Sequence, residues 1–187
     1  RSGDIVTEVN GKDVASVIVG IDPQREPRVS QLVTQLKLGS MPALYRATNA
    51  IILGDRLAEK LGARIGSNIS MSAGTGKVMT GQVVGIFRSG VRAVDEGTSY
   101  VLIKTAQVLA EQTGLINEIR IRLNDPMGAK AVADRIIADT GLNTTVAGNV
   151  ATTGGGGNLF YSQLTYTLPG QAMPPAAILL PGSGPTG

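Results

Sequence analysis

The stretch Glu118-Ile119-Arg120-Ile121-Arg122-Leu123, followed by Asn124-Asp125-Pro126, decides the fold class. Its first six residues alternate strictly, the period of a strand with Ile119, Ile121 and Leu123 inward and Arg120 and Arg122 outward. Asp125 then stands as a helix N-cap with Pro126 at the first helical position, where a missing N–H costs nothing. The predicted helix buries Val132, Ala133, Ile136 and Ile137 and stops at Gly141; a short strand follows near Thr144 to Ala147. Strand, helix and strand in succession point to part of an open α+β sandwich.

The same two periods recur toward the N-terminus. Ile5 to Val9 alternates, Asn10-Gly11 signals a hairpin, and Val14 to Ile21 is the partner strand, ended by Asp22-Pro23. Val29 to Leu38 predicts a short helix with Val29, Leu32, Val33 and Leu36 on one face. Asp55 to Leu61 predicts a second, closed by Gly62. Gly66 turns the chain into a strand over Ser67 to Ser72, and Gly74-Thr75-Gly76 is a tight turn into Val78 to Phe87. Thr98 to Ile103 is a further strand, and Thr105 is expected to cap a helix running to about Thr113, with Gly114 behind it. No internal repeat of fixed period is visible.

At 187 residues, 42% hydrophobic and 17% charged, the chain supports a real core in one domain or two small ones. It contains no Cys, His or Trp. That excludes disulfides, thiolate nucleophiles and zinc–thiolate sites, and removes the commonest general base. Any catalysis would fall to carboxylates, Lys, Ser or Tyr, so a non-enzymatic role is expected, with no catalytic, cofactor or metal site. Its 17 basic and 14 acidic residues are interspersed around a net charge of +3, without the basic stripe that nucleic-acid binding needs. No apolar run approaches a membrane span, no signal-peptide pattern opens the chain, and the absent initiator Met suggests a piece of something longer.

Every charged residue lies at or before Asp139, and Gly154 to Gly157 reads as a linker. The expected organisation is a β-rich part with short helices over 1–115, a strand–helix–strand part over 116–148, and a neutral Gly/Pro-rich tail over 149–187. If the chain were circularly permuted, residues 158–187 would belong before Arg1; composition favours a linker or foreign tail instead.

Three motifs invite chemistry. Ser72-Ala73-Gly74-Thr75-Gly76-Lys77 lacks the leading Gly of a phosphate loop (Met71 stands there) and the Ser or Thr after Lys (Val78), so it reads as a hairpin turn. Asp95-Glu96 are adjacent carboxylates, but sequence neighbours point apart, which disfavours an acid–base pair. Lys60, Lys77, Lys104 and Lys130 sit at polar or helix-surface positions, none in an apolar run that would lower its pKa for a Ser–Lys dyad. The stretch Arg88 to Gly97, read as a solvated connecting loop, is the expected contact surface, with Arg88, Ser89, Arg92, Asp95 and Glu96 as its partner-binding residues.

Taken together, Val17-Ile18-Val19-Gly20-Ile21-Asp22-Pro23, Ala50 to Gly62 with Ile65-Gly66, and Val83 to Gly90 with Asp95 and Tyr100-Val101 resemble a known family. It is the extracytoplasmic domain of ABC-transporter permeases of the lipoprotein-releasing type (LolC/LolE), within the wider class of MacB and FtsX permeases. The resemblance covers roughly residues 3 to 147. It implies an α+β fold, a small mixed sheet packed with helices plus a β-rich subdomain, of the MacB-like periplasmic core type. It also implies a non-catalytic domain on the periplasmic side of a bacterial inner membrane. A cytoplasmic ATPase subunit, a second permease subunit and a lipoprotein cargo or periplasmic protein would be its partners; regulation of a cell-wall hydrolase is the alternative, and a periplasmic hydrolase working without His or Cys is the alternative of a different class. The chaperone-recruiting member carries a long hook where this chain has only Ala73 to Gly81, and the family's first strand–helix–strand unit is not found ahead of Arg1.

Overall fold

The structure is a computed structural model that describes residues 2–9, 12–73, 76–116, 119–125, 128–141, 143–147 and 163–167. It forms two compact units, Arg1–Ile116 and Asn117–Gly187.

In the first unit β1 (Ser2–Val9) and β2 (Lys12–Ile21) pair antiparallel with Val9 opposite Lys12. The Asn10-Gly11 between them lies outside the described residues. A 3-10 turn (Glu26–Arg28), α1 (Leu32–Gln35), β3 (Leu36–Gly39) and a second 3-10 turn (Met41–Tyr45) lead to β4 (Ile51–Gly54) and α2 (Asp55–Leu61). The hairpin β5 (Asn68–Ala73) and β6 (Val78–Phe87) follows, then α3 (Arg92–Gly97), β7 (Thr98–Leu102) and α4 (Ile103–Leu109). Strand pairings close a ring, β1-β2-β7-β4-β6-β5 and back to β1, with β3 attached to β6 outside it. A closed ring leaves few free edges.

All four residues of β4 are buried because both faces of the sheet are covered. Ile51 and Leu53 join Ile18, Val83 and Val101 under Leu57 and Leu61 of α2 and Ala106 and Leu109 of α4. Ile52 joins Ile21, Leu32, Leu44 and Phe87 on the other face. Each such large side chain, removed from water, contributes about 1.5–3 kcal/mol.

The ring has a pseudo-twofold arrangement. Hairpin β1–β2 matches hairpin β5–β6, and β4–α2 matches β7–α4. At the axis Val6 pairs with Ser72, and Ile52 pairs with Tyr100. The buried residues agree: Leu57, Ala58 and Leu61 of α2 stand where α4 has Thr105, Ala106 and Leu109. The offset is 66 residues from β1 to β5 (72 less 6) but 48 for the strand–helix units (100 less 52). The connection before β4 spans residues 22–50 and that before β7 only 88–97, so no fixed period survives in the sequence.

The second unit holds β8 (Arg120–Arg122), α5 (Ala129–Thr140), β9 (Asn143–Ala147) and β10 (Gln163–Thr167). Its sheet runs β8-β10-β9, with β10, from the neutral tail, antiparallel to both neighbours. Ala133, Val132 and Ile136 of α5 pack with Ile121 and Leu123.

Several local expectations are corrected. Of the helix expected over Val29 to Leu38, only Leu32–Gln35 is helical; at Leu36 the chain turns extended and pairs with β6, tertiary pairing overriding helix periodicity. Thr105 caps nothing: α4 starts at Ile103 directly off β7, Thr105 is buried within it, and it ends at Leu109. The helix expected from Asp125-Pro126 begins at Ala129 after Gly128; Pro126 lies outside the described residues. Ile137 and Ile119 are exposed rather than inward, so the apolar stripe of this unit is narrower than its sequence suggests.

Candidate functional site

Arg88 to Gly97, expected as a solvated loop, instead carries α3 and a buried carboxylate. Asp95 is 1% exposed. Its Oδ1 accepts from the Ser89 backbone N–H and from the Ser89 hydroxyl, both at 2.7 Å, and its Oδ2 accepts from the Gly90 N–H at 3.2 Å. A six-residue helix is too short to stand alone. Asp95 supplies the tie, binding the helix back onto the segment that enters it. Space is tight beneath it: a Cβ at Gly54, the residue joining β4 to α2, would lie 2.2 Å from the Asp95 carbonyl oxygen.

Glu96, the next residue, points the other way. Its carboxylate accepts from Arg92 Nε at 2.6 Å and Lys60 Nζ at 3.1 Å, with Arg56 Nη1 at 4.0 Å. The hydrogen bonds from Arg92 and Lys60 hold this carboxyl below the usual glutamate range. Beside it Arg88 Nε lies 3.4 Å from Asp55 Oδ2. Asp55 opens α2, where an acidic side chain suits the helix dipole, and Arg56 and Lys60 project one turn apart toward α3.

The two carboxylates are recessed and the cations stand proud. Glu96 and Asp55 are 22% exposed, against 44% for Arg56, 49% for Lys60, 55% for Arg88 and 78% for Arg92. Ion pairs this exposed contribute about 0–1 kcal/mol each. The cluster therefore presents positive charge outward without being needed to hold the fold.

Of the five expected residues, the structure brings Arg88, Arg92 and Glu96 to this face and turns Ser89 and Asp95 inward as its scaffold. Asp95 and Glu96 share no proton path, as their adjacency suggested. Asp55, Arg56 and Lys60 belong to the face but were not expected there; the Arg56/Lys60 spacing of four was the only signal. Among the described residues no three acidic side chains converge on one point.

With the fold in view, its relatives can be stated. The sequence pattern of the MacB-like periplasmic core domain matches residues 1–139. The chain belongs to that family. This bears out the resemblance carried by the three segments above and the α+β class with it. The chain is 30% identical over 129 residues to a Neisseria meningitidis protein named lipoprotein-releasing system transmembrane protein LolC, covering 64% of this chain and 31% of that one. A Xylella fastidiosa protein of the same name is 30% identical over 115 residues, covering 57% and 28%. The chain thus spans about a third of the length of these relatives. The extracellular domain of the noncanonic ABC-type transporter YknZ from Gram-positive bacteria is similar at a TM-score of 0.47 and 14% identity, over 75% of this chain and 73% of that one.

In this MacB-like domain the β5–β6 link is short: Ser72 pairs with Val78, leaving residues 73–77 between them. The α2–α3 face is built from the Ala50–Gly62 segment and the stretch after β6, two of the three segments that carry the family resemblance.

Proposed function

We propose that the chain is the periplasmic domain of an ABC-transporter permease of the lipoprotein-releasing type, without catalytic chemistry of its own. It couples ATP hydrolysis by a cytoplasmic subunit to the handling or release of an extracytoplasmic cargo, most simply a lipoprotein, in a permease that includes a second such subunit. The observation that carries this is the family match over residues 1–139 together with 30% identity to two LolC proteins. Residues 1–115 and 116–148 are read as the two parts of that domain, with residues 163–167 completing the smaller sheet.

Contact with cargo or partner is assigned to Arg88, Arg92 and Glu96, which Ser89 and Asp95 position. The short β5–β6 link supports this choice, because no extended hairpin offers a competing handle there.

Photo-crosslinking from position 92 in the full-length permease, in intact cells, tests it. An acylated lipoprotein in the crosslinked band supports lipoprotein handling. A soluble periplasmic protein instead, such as a cell-wall hydrolase, replaces that reading with a regulatory one. No band above that from an exposed control position such as Lys104 removes the face from the proposal.

A further inference from the structure

We propose that the α2–α3 face docks an acidic segment of a protein partner, its carboxylates meeting Arg56, Lys60, Arg88 and Arg92. This rests on the reading that the face meets a partner and names the partner's chemistry. Three cations crowd the one Glu96 carboxylate, which can neutralise one of them, and Arg88 meets Asp55 through Nε at 3.4 Å. The guanidinium forks of three Arg thus keep donors for incoming carboxylates, and a fork suits a planar carboxylate in bidentate fashion. The counter-ions are recessed and the only other acidic side chain on α2 is Glu59, so an approaching anion meets positive charge first.

A protein segment fits better than an anionic membrane. The face is only about 10 Å long, the length of two short helices. Its exposed side chains on α2 are Arg56, Glu59 and Lys60, and no large hydrophobic side chain of α2 or α3 is exposed. Membrane-surface helices need an apolar face to insert. A small, mixed-sign, strongly forked patch instead matches spaced carboxylates on a chain.

The test uses the full 187-residue chain and a fluorescent octaglutamate peptide, with an octaglutamine peptide as blank. Saturable binding to octaglutamate alone is expected, weakening as salt rises from about 50 to about 300 mM. Arg88→Glu with Arg92→Glu should weaken it by about tenfold or more, while Arg25→Glu with Lys104→Glu, the same charge change on exposed residues past the C-terminal ends of β2 and β7, should weaken it far less. Glu96→Gln, which releases three cations and leaves the scaffold in place, should tighten binding several-fold; this variant keeps the test sharp if the double reversal fails to fold. Equal losses in the two double variants, no tightening in Glu96→Gln, or no saturable binding would each overturn the proposal. So would binding to phosphatidylglycerol vesicles with none to octaglutamate. The peptide assay needs no permease, so its failure rejects the acidic ligand, whereas crosslinking from position 92 judges partner contact itself.

Discussion

Replacing Gly54 by Ala tests how the site is mounted. Gly54 has φ −62° and ψ 146°, which any residue accepts, so conformational strain is not the issue. Space is. The added Cβ would lie 2.2 Å from the Asp95 carbonyl oxygen, 2.8 Å from its carbon and 3.0 Å from its Cα, all backbone atoms. Relief requires α3 to retreat by about 1 Å to reach ordinary contact. Overpacking of this kind costs about 1–3 kcal/mol. The retreat also strains the Asp95 bonds to Ser89, adding about 1 kcal/mol. A stiffer unfolded chain returns about 0.4–1 kcal/mol. The net is a loss of about 1–3.5 kcal/mol, read in urea unfolding as a lower midpoint at unchanged slope. The control is Gly97→Ala, where the new Cβ meets nothing within 4 Å; it should raise stability by about 0.4–1 kcal/mol rather than lower it. A Gly54→Ala protein as stable as the parent, or a Gly97→Ala protein equally weakened, would refute the reasoning.

Asp95→Ala takes a buried acceptor away from two half-exposed backbone donors and from the Ser89 hydroxyl and should cost about 2 kcal/mol in the same assay; Asp95→Asn, which keeps an acceptor oxygen, should cost less. Glu111 follows α4 at φ 55°, so Glu111→Gly should relieve left-handed strain and raise stability by about 0.5–1 kcal/mol, seen as a higher melting temperature. Arg92→Ala should raise the Glu96 pKa toward the usual glutamate range in a carboxyl-detected NMR titration. Because the folded-state pKa is the lowered one, whatever stability the pairing adds is present above the ordinary glutamate pKa and fades as pH falls through the lowered value. In the variant there is less to lose, and the fading is complete at a higher pH.

Much of the fold was legible because its strands obey a simple period. β6 alternates between buried and less buried positions, and α2 ends where Gly62 takes φ +67°. β4 gave no such signal: Ile51, Ile52, Leu53 and Gly54 are all buried, so nothing alternates, and four residues are too few to separate strand from helix. β3 was hidden inside an apparent helix because the edge of β6, distant in sequence, decides its conformation. Half of the site was legible for the same kind of reason. Arg88, Arg92 and Glu96 sit together on one polar stretch, whereas Lys60 reaches Glu96 across 36 residues of chain. The inward turn of Asp95 and the outward turn of Glu96 became visible only once the stretch was seen to be helical.

The pseudo-twofold arrangement separates what serves the fold from what does not. Positions that build the core recur in both halves: Leu57, Ala58 and Leu61 have their counterparts in Thr105, Ala106 and Leu109. The charged cluster does not recur. At the same offset of 48, Asp55 corresponds to Ile103, Arg56 to Lys104 and Lys60 to Val108, so α4 keeps one of the three charges. Gly54, which admits the backbone of α3, corresponds to Leu102, half-buried in the apolar core. The connection that carries α3 is ten residues long, and its counterpart, residues 22–50, is built differently. A feature required to close the ring would appear on both sides of the axis. The cationic face appears on one, built on a special glycine and a buried carboxylate, and its ion pairs are too exposed to contribute much stability. Its arrangement is therefore not dictated by the ring it stands on, as the proposed partner contact requires.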